Sequence, residues 1–200
     1  VLNNNILVTS LVTGPNTYTR MEHEKVVFGP EQMINIPPRN YVQILNPIVR
    51  AADRSPVLDS DGNFQLRHGN QEIRFSSEKE PLPGVPKEAI FDEPFPLYPG
   101  EKVVKRNPLV VVKPDEALLL RAIQDVEIEG TKYSAGEEWL FEGPGTYIPR
   151  VEVLEVGSVK AYTIRENFAL RVRAKRNCID SRKIERVAGE EWLVSTVGSY

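Results

Sequence analysis

Ala135-Gly136-Glu137-Glu138-Trp139-Leu140 recurs letter for letter as Ala188-Gly189-Glu190-Glu191-Trp192-Leu193, 53 positions later. Upstream, residues 117–122 match 169–174 at an offset of 52. Downstream, Gly145-Thr146-Tyr147 matches Gly198-Ser199-Tyr200 at 53. One residue is therefore inserted between the two blocks. Repetition at a period of about fifty residues means tandem units rather than one large core. A unit of that size has a thin core, and its faces must be covered by its neighbours.

Older copies are visible further back. Gly14-Pro15-Asn16-Thr17-Tyr18 resembles residues 143–147, and residues 38–44 align with 114–120. Four units are expected at 1–52, 53–112, 113–164 and 165–200. The first is incomplete at its start and the last at its end. The second carries a Pro-rich charged loop around 76–89, which is poor core material and should project from the surface.

The units read as strands. Phe168, Leu170, Val172 and Ala174 alternate with Ala169, Arg171, Arg173 and Lys175, the period of a half-buried strand. Leu118, Leu120 and Ala122 occupy the same face in the third unit, as Val42 and Ile44 do in the first. Asp61-Gly62 between two apolar runs predicts a hairpin, and Gly143-Pro144-Gly145 a turn. With 16 Pro and 13 Gly cutting the chain, and no apolar segment keeping helical spacing for three turns, the fold class is all-β: tandem small antiparallel β-sheet repeats of about 50–60 residues, arranged end to end.

Charge narrows the function. There are 25 basic and 28 acidic residues, too even for an electrostatic nucleic-acid binder. The apolar runs are far shorter than the ~20 residues that span a bilayer, so no membrane partner is expected. A single Cys excludes an internal disulfide framework and points to a reducing compartment. The chain opens without an initiator Met or a leader and reads as part of a longer protein.

Catalysis is not expected. His23, His68 and Cys178 are the only His and Cys. They are too scattered for a nucleophilic pair, or for structural zinc with its four N/S ligands. Asp59-Ser60-Asp61-Gly62 lacks the later ligands of a calcium loop. No phosphate loop, dinucleotide fingerprint or nucleophile elbow occurs, and no cofactor is expected. Glu137, Glu138, Glu190 and Glu191 are adjacent carboxylates that point to opposite faces of a strand, so they do not converge on a substrate. They read as surface or inter-chain charge contacts, with Arg121 and the matching Arg173 as mates. Arg171, Arg173 and Lys175 are the basic counterparts. Trp139, Trp192, Tyr18, Tyr147 and Tyr200 read as packing anchors of the repeats.

Residues 135–150, with Phe95-Pro96-Leu97-Tyr98-Pro99-Gly100-Glu101, Ile36-Pro37-Pro38-Arg39-Asn40-Tyr41 and the 169–174 and 189–194 segments, resemble repeats of the major vault protein family. The resemblance covers essentially the whole chain, in order, and corresponds to the family's N-terminal repeats. It implies a structural shell protein: one stave of the vault, a hollow cytoplasmic ribonucleoprotein particle with a minor nuclear pool. Copies would assemble side by side, near the waist of the barrel. It further implies as partners identical chains, a vault poly(ADP-ribose) polymerase, a telomerase-associated protein and, indirectly, small vault RNA. The alternative is a monomeric β-repeat adaptor that binds a protein partner.

Overall fold

A computed structural model describes residues 2–3, 8–76, 84–91, 94–180 and 182–200. The chain is built of short strands in several small, mostly antiparallel sheets. Its one helical turn among the described residues is the 3-10 turn Lys87–Ala89. The chain divides into two units. One takes Val1–Val110, Ala122–Gly136 and Thr146–Leu154; the other takes Val111–Arg121, Glu137–Gly145 and Glu155–Tyr200.

The first unit is organised by a four-stranded sheet of β1 (Asn40–Leu45), β2 (Gln71–Ser76), β3 (Ile90–Phe91) and β4 (Lys102–Pro108), in the order β3-β2-β1-β4. β1 pairs antiparallel with β2 and β4, while β2 and β3 run parallel. The register on β4 slips at Gln43/Ile44, a bulge that twists the sheet locally. The sheet takes strands from both sides of residue 52.

Both faces of β1 are covered. Val42 and Ile44 pack with Ile34, Ile36 and Phe95, against Phe91, Leu97 and Val103. On the other face Tyr41 packs with Ile73, Phe75 and Leu109, joined by Val85, Ala89, Ile148 and Val151. The far end of the expected projecting loop thus packs against the core through Val85 and Ala89. Arg54 fastens it further, donating to the carbonyls of Lys87 (2.7 Å) and Ile90 (3.0 Å). Residues 77–83 of that loop lie outside the described residues. Between β1 and β2 the chain folds into a small meander held by the bridges Ile48–Leu66, Arg50–Pro56 and Leu58–Phe64. Its tip is the expected Asp61-Gly62 hairpin. Gly62 has φ +86°, and the Asp59 carboxylate accepts the N–H groups of Asp61 and Asn63. That carboxylate serves the turn.

In the second unit β5 (Glu116–Ala122, its last residue in the first unit) pairs antiparallel with β6 (Glu138–Glu142). β7 (Leu170–Arg173) pairs in the same way with β8 (Glu191–Val194). Alternation assigns the faces. Leu118, Leu120, Trp139 and Phe141 share the inner face of one ribbon; Leu170, Val172, Trp192 and Val194 share that of the other. Phe168 departs from the expected pattern. It precedes β7 and is exposed.

Gly143 is fixed by sterics. A Cβ there would lie 1.9 Å from the Lys113 carbonyl oxygen, inside any contact distance. The close approach lets Gly143 N–H reach the Glu116 carbonyl at 3.1 Å.

Candidate interaction surface

The repeated Gly-Glu pairs explain themselves as turns. In Tyr98-Pro99-Gly100-Glu101, the Glu101 N–H bonds the Tyr98 carbonyl at 3.0 Å; in Val187-Ala188-Gly189-Glu190, Glu190 does the same to Val187. Gly100, Gly136 and Gly189 have φ of +96°, +86° and +89°, the signature of a type II turn whose third residue is Gly. The Glu side chain folds back to accept the first residue's N–H: Glu101 from Tyr98 (3.0 Å), Glu190 from Val187 (3.1 Å). A second device repeats around it. The Ala135 N–H donates to Asp125 Oδ1 (2.8 Å), and the Ala188 N–H donates to Asn177 Oδ1 (2.9 Å).

The second Glu of each pair does different work. Glu138 lies directly opposite Arg121 and accepts its Nε at 2.9 Å. Glu191 lies opposite Arg173 and accepts its Nε at 2.6 Å, with Arg171 Nε at 2.7 Å on the other oxygen. The expected mates therefore meet, in the same place on both ribbons, within one chain. The Arg173 and Arg171 guanidiniums hold the Glu191 carboxyl below its ordinary value. The side chains of Arg171 and Arg173 stay 75% and 70% exposed. Lys175 is exposed as well, and the neighbouring Arg176 donates to the Glu138 carbonyl at 3.4 Å. Exposed Leu140 and Leu193 stand beside these pairs on the outer faces.

Glu137 is half-buried. Glu190 turns back to Arg186, whose guanidinium lowers its carboxyl below the ordinary range. Trp139 and Trp192 are half-buried on the inner faces, with Arg186 4.8 Å above the Trp192 ring. Tyr147 is buried. Tyr200 is half-buried and exchanges backbone hydrogen bonds with Tyr162 at 2.8 and 2.9 Å. Tyr18 lies outside the core, 43% exposed, with its hydroxyl donating to Glu24 at 2.6 Å.

Sequence reasoning missed the buried charge cluster of the first unit. Arg74 is fully buried. It donates Nη2 to Glu101 Oε1 at 2.5 Å and Nε to Glu72 at 2.9 Å. Its guanidinium lies 4.7 Å from the Phe91 ring centre and 5.2 Å from that of Phe95. Arg50 also lies over the Phe91 ring, 5.1 Å from its centre, and burial, then the charge of Arg74, lowers its pKa. Glu101 also accepts Ile48 N–H at 3.1 Å. Only the Gly-Glu turn hinted at Glu101; nothing in the local pattern marks Arg74. Among the described residues no group of three or more His, Cys, Asp or Glu is placed to hold a metal ion. No helix there is long and apolar enough to cross a membrane.

The arrangement is that of a surface: repeated strand ribbons with hydrogen-bonded turns and outward-facing ion pairs. Comparison with known proteins agrees in kind. Models of the major vault protein repeat domain match residues 33–106, 110–150 and 162–200. The whole chain is 49% identical to major vault protein alpha of Dictyostelium discoideum. It is 46% identical to the major vault proteins of Gallus gallus and Homo sapiens. It spans about a fifth of the length of these relatives, 22%, 22% and 21% respectively.

Proposed function

The chain belongs to the major vault protein repeat family, and on that premise we propose that it is a wall segment of a vault shell. Identical chains stand side by side in a hollow barrel, and these N-terminal repeats lie near its waist. The role is structural and not enzymatic. The observation that carries this reading is the recurrence of one outward-facing device, Arg121–Glu138 on one ribbon and Arg173–Glu191 on the next. An active site is rarely duplicated in tandem; a contact surface is. Within each ribbon the pairs fix side-chain direction. Arg171 and Arg173 keep most of their surface in water, so the same guanidiniums can meet carboxylates of a neighbouring copy. Lateral contact between identical chains is heterologous and closes a ring when the rotation per copy is right. Vault poly(ADP-ribose) polymerase, a telomerase-associated protein and, indirectly, small vault RNA are the partners this role brings, in the cytoplasm with a minor nuclear pool.

The test is negative-stain electron microscopy of the intact parent protein expressed alone. Barrel-shaped particles are expected. Dispersed monomers at high concentration would refute the shell reading and favour a β-repeat adaptor. Charge reversal of Arg171 and Arg173 should weaken assembly, most clearly at low salt, where exposed charges are least screened. Assembly unchanged at every salt concentration would remove these residues from the contact.

A further inference from the structure

Two small hairpins occupy equivalent places in successive repeats and keep one register. Val126 faces Tyr133 and Glu127 faces Lys132; correspondingly, Cys178 faces Arg186 and Ile179 faces Glu185. Their polarity is reversed. In the first hairpin Glu127 and Lys132 are exposed with opposite charges across the ribbon, and Ile128 and Tyr133 are half-buried. In the second, Asp180 and Arg186 hold the positions of Ile128 and Tyr133. Ile179 and Val187 hold those of Glu127 and Ser134.

The polar pair is fully used underneath. The Asp180 side chain is 1% exposed and accepts the N–H groups of Arg182 and Ile184 at 2.9 Å and Arg186 Nε at 3.0 Å. The apolar residues are left outside, with Ile179 67% and Val187 65% exposed and exposed Glu185 opposite Ile179 on the same face. A hairpin that places its ion pair inward and its isoleucine outward, where its sister repeat holds a charged pair, presents a surface suited to a partner.

Charge selects the partner. Residues 165–200 hold eight basic and five acidic side chains; residues 113–164 hold five basic and ten acidic. Glu185 faces Ile179 on the hairpin, but Arg182 and Lys183 stand exposed at its tip and the repeat as a whole is basic. Each copy thus carries both an apolar hairpin face in a basic repeat and an acid-rich repeat, in equal numbers. We propose that the outer face of the 178–187 hairpin is a contact between copies of this chain, seated against the acid-rich 113–164 repeat of a neighbouring copy. This rests on the side-by-side association proposed above and names the surface that carries it. Opposite charge orients the encounter, and apolar burial holds it.

The test uses the full-length parent protein with p-benzoylphenylalanine in place of Val187, co-assembled from isotopically light and heavy chains and irradiated as particles. Expected are light–heavy crosslinks from 187 into residues 113–164. Particles whose crosslinks from 187 stay within one chain, or fall elsewhere on the neighbour, would overturn the inference and leave the shell reading standing. Absence of particles from the unmodified protein would overturn both. As a second measurement, the variant Ile179→Glu/Glu185→Lys/Val187→Ser carries the sister repeat's residues, with its cross-strand charge pair intact. It should lose particles at a salt concentration the parent survives. An unchanged salt tolerance counts against the contact.

Discussion

Replacing Glu101 with Gln removes the charge that balances Arg74 where both side chains are fully buried. Arg74 is 0% exposed and keeps only Glu72, itself shared with Arg67. The Gln amide oxygen can stand in for Oε1 and keep an acceptor for the Ile48 N–H, but the amide nitrogen then takes the place of Oε2 and faces the Tyr98 N–H donor to donor. The loss therefore combines a stranded charge with one turn hydrogen bond, the charge being the larger part. Leaving one partner of a buried ion pair uncompensated costs about 3–5 kcal/mol. For a chain of this size each kcal/mol moves Tm by roughly 2–4 °C, so a drop of about 6–20 °C is expected by circular dichroism. Both tryptophans lie in the second unit, so fluorescence is the wrong local probe. Hydrogen exchange over Asn40–Leu45 and Gln71–Ser76 reads the affected sheet directly, and its protection should fall about a hundredfold or more. The double variant Arg74→Met/Glu101→Gln removes the stranded charge while keeping apolar contact with Phe91 and Phe95. It should recover more than half of the loss, because buried pairs are often replaceable by apolar packing. A Glu101→Gln variant within about 0.5 kcal/mol of the parent, or a double variant worse than either single one, would refute the reasoning.

Three further outcomes are expected. Gly143→Ala should destabilise by several kcal/mol, of order 3 or more, because its methyl meets backbone rather than a movable side chain. Gly157→Ala, with nothing within 4 Å, should be neutral or slightly stabilising in the same urea titration. Asp125→Ala and Asn177→Ala should each cost about 0.5–1.5 kcal/mol, and by similar amounts, since each removes the same side-chain acceptor from the same turn. The Glu191 carboxyl, followed by NMR, should titrate below the ordinary glutamate value. Its folded pKa is depressed, so the stability it contributes is present above the unfolded pKa and lost as pH falls through the folded one. Arg171→Gln/Arg173→Gln should return it toward the ordinary value.

Much of the architecture was legible because it is local or repeated. Alternation over Leu170–Ala174 marked an inner face, and the Arg121 and Arg173 mates followed from matching two copies. The Asp61-Gly62 turn followed from residues that tolerate positive φ. What stayed hidden depends on distance or on context. Arg74 and Glu101 are 27 residues apart, in strand and turn, and no periodicity links them. β1 buries both faces, so Tyr41 gave no sign that its side of the strand is as dry as that of Val42. Phe168 fits the alternating pattern but precedes the strand, so the pairing that would turn it inward never reaches it. The polarity reversal of the 178–186 hairpin was invisible without its register, which alone shows that Asp180 and Arg186 replace Ile128 and Tyr133.

The register also locates the extra residue between the two duplicated blocks. Ile128 and Thr131 are joined by Glu129-Gly130, with φ of +50° and +82°, a two-residue type I′ tip. Asp180 and Ile184 are joined by three residues, with Lys183 N–H bonding the Asp180 carbonyl and Lys183 at φ +63°. That is a three-residue tip closed by a left-handed residue. The length change is spent at the far end of a hairpin, so the Gly-Glu-Glu-Trp block downstream keeps its phase against the strand it pairs with. For a lineage that grows by copying one module, such a tip is where insertions and deletions can accumulate without shifting the rest of the ladder.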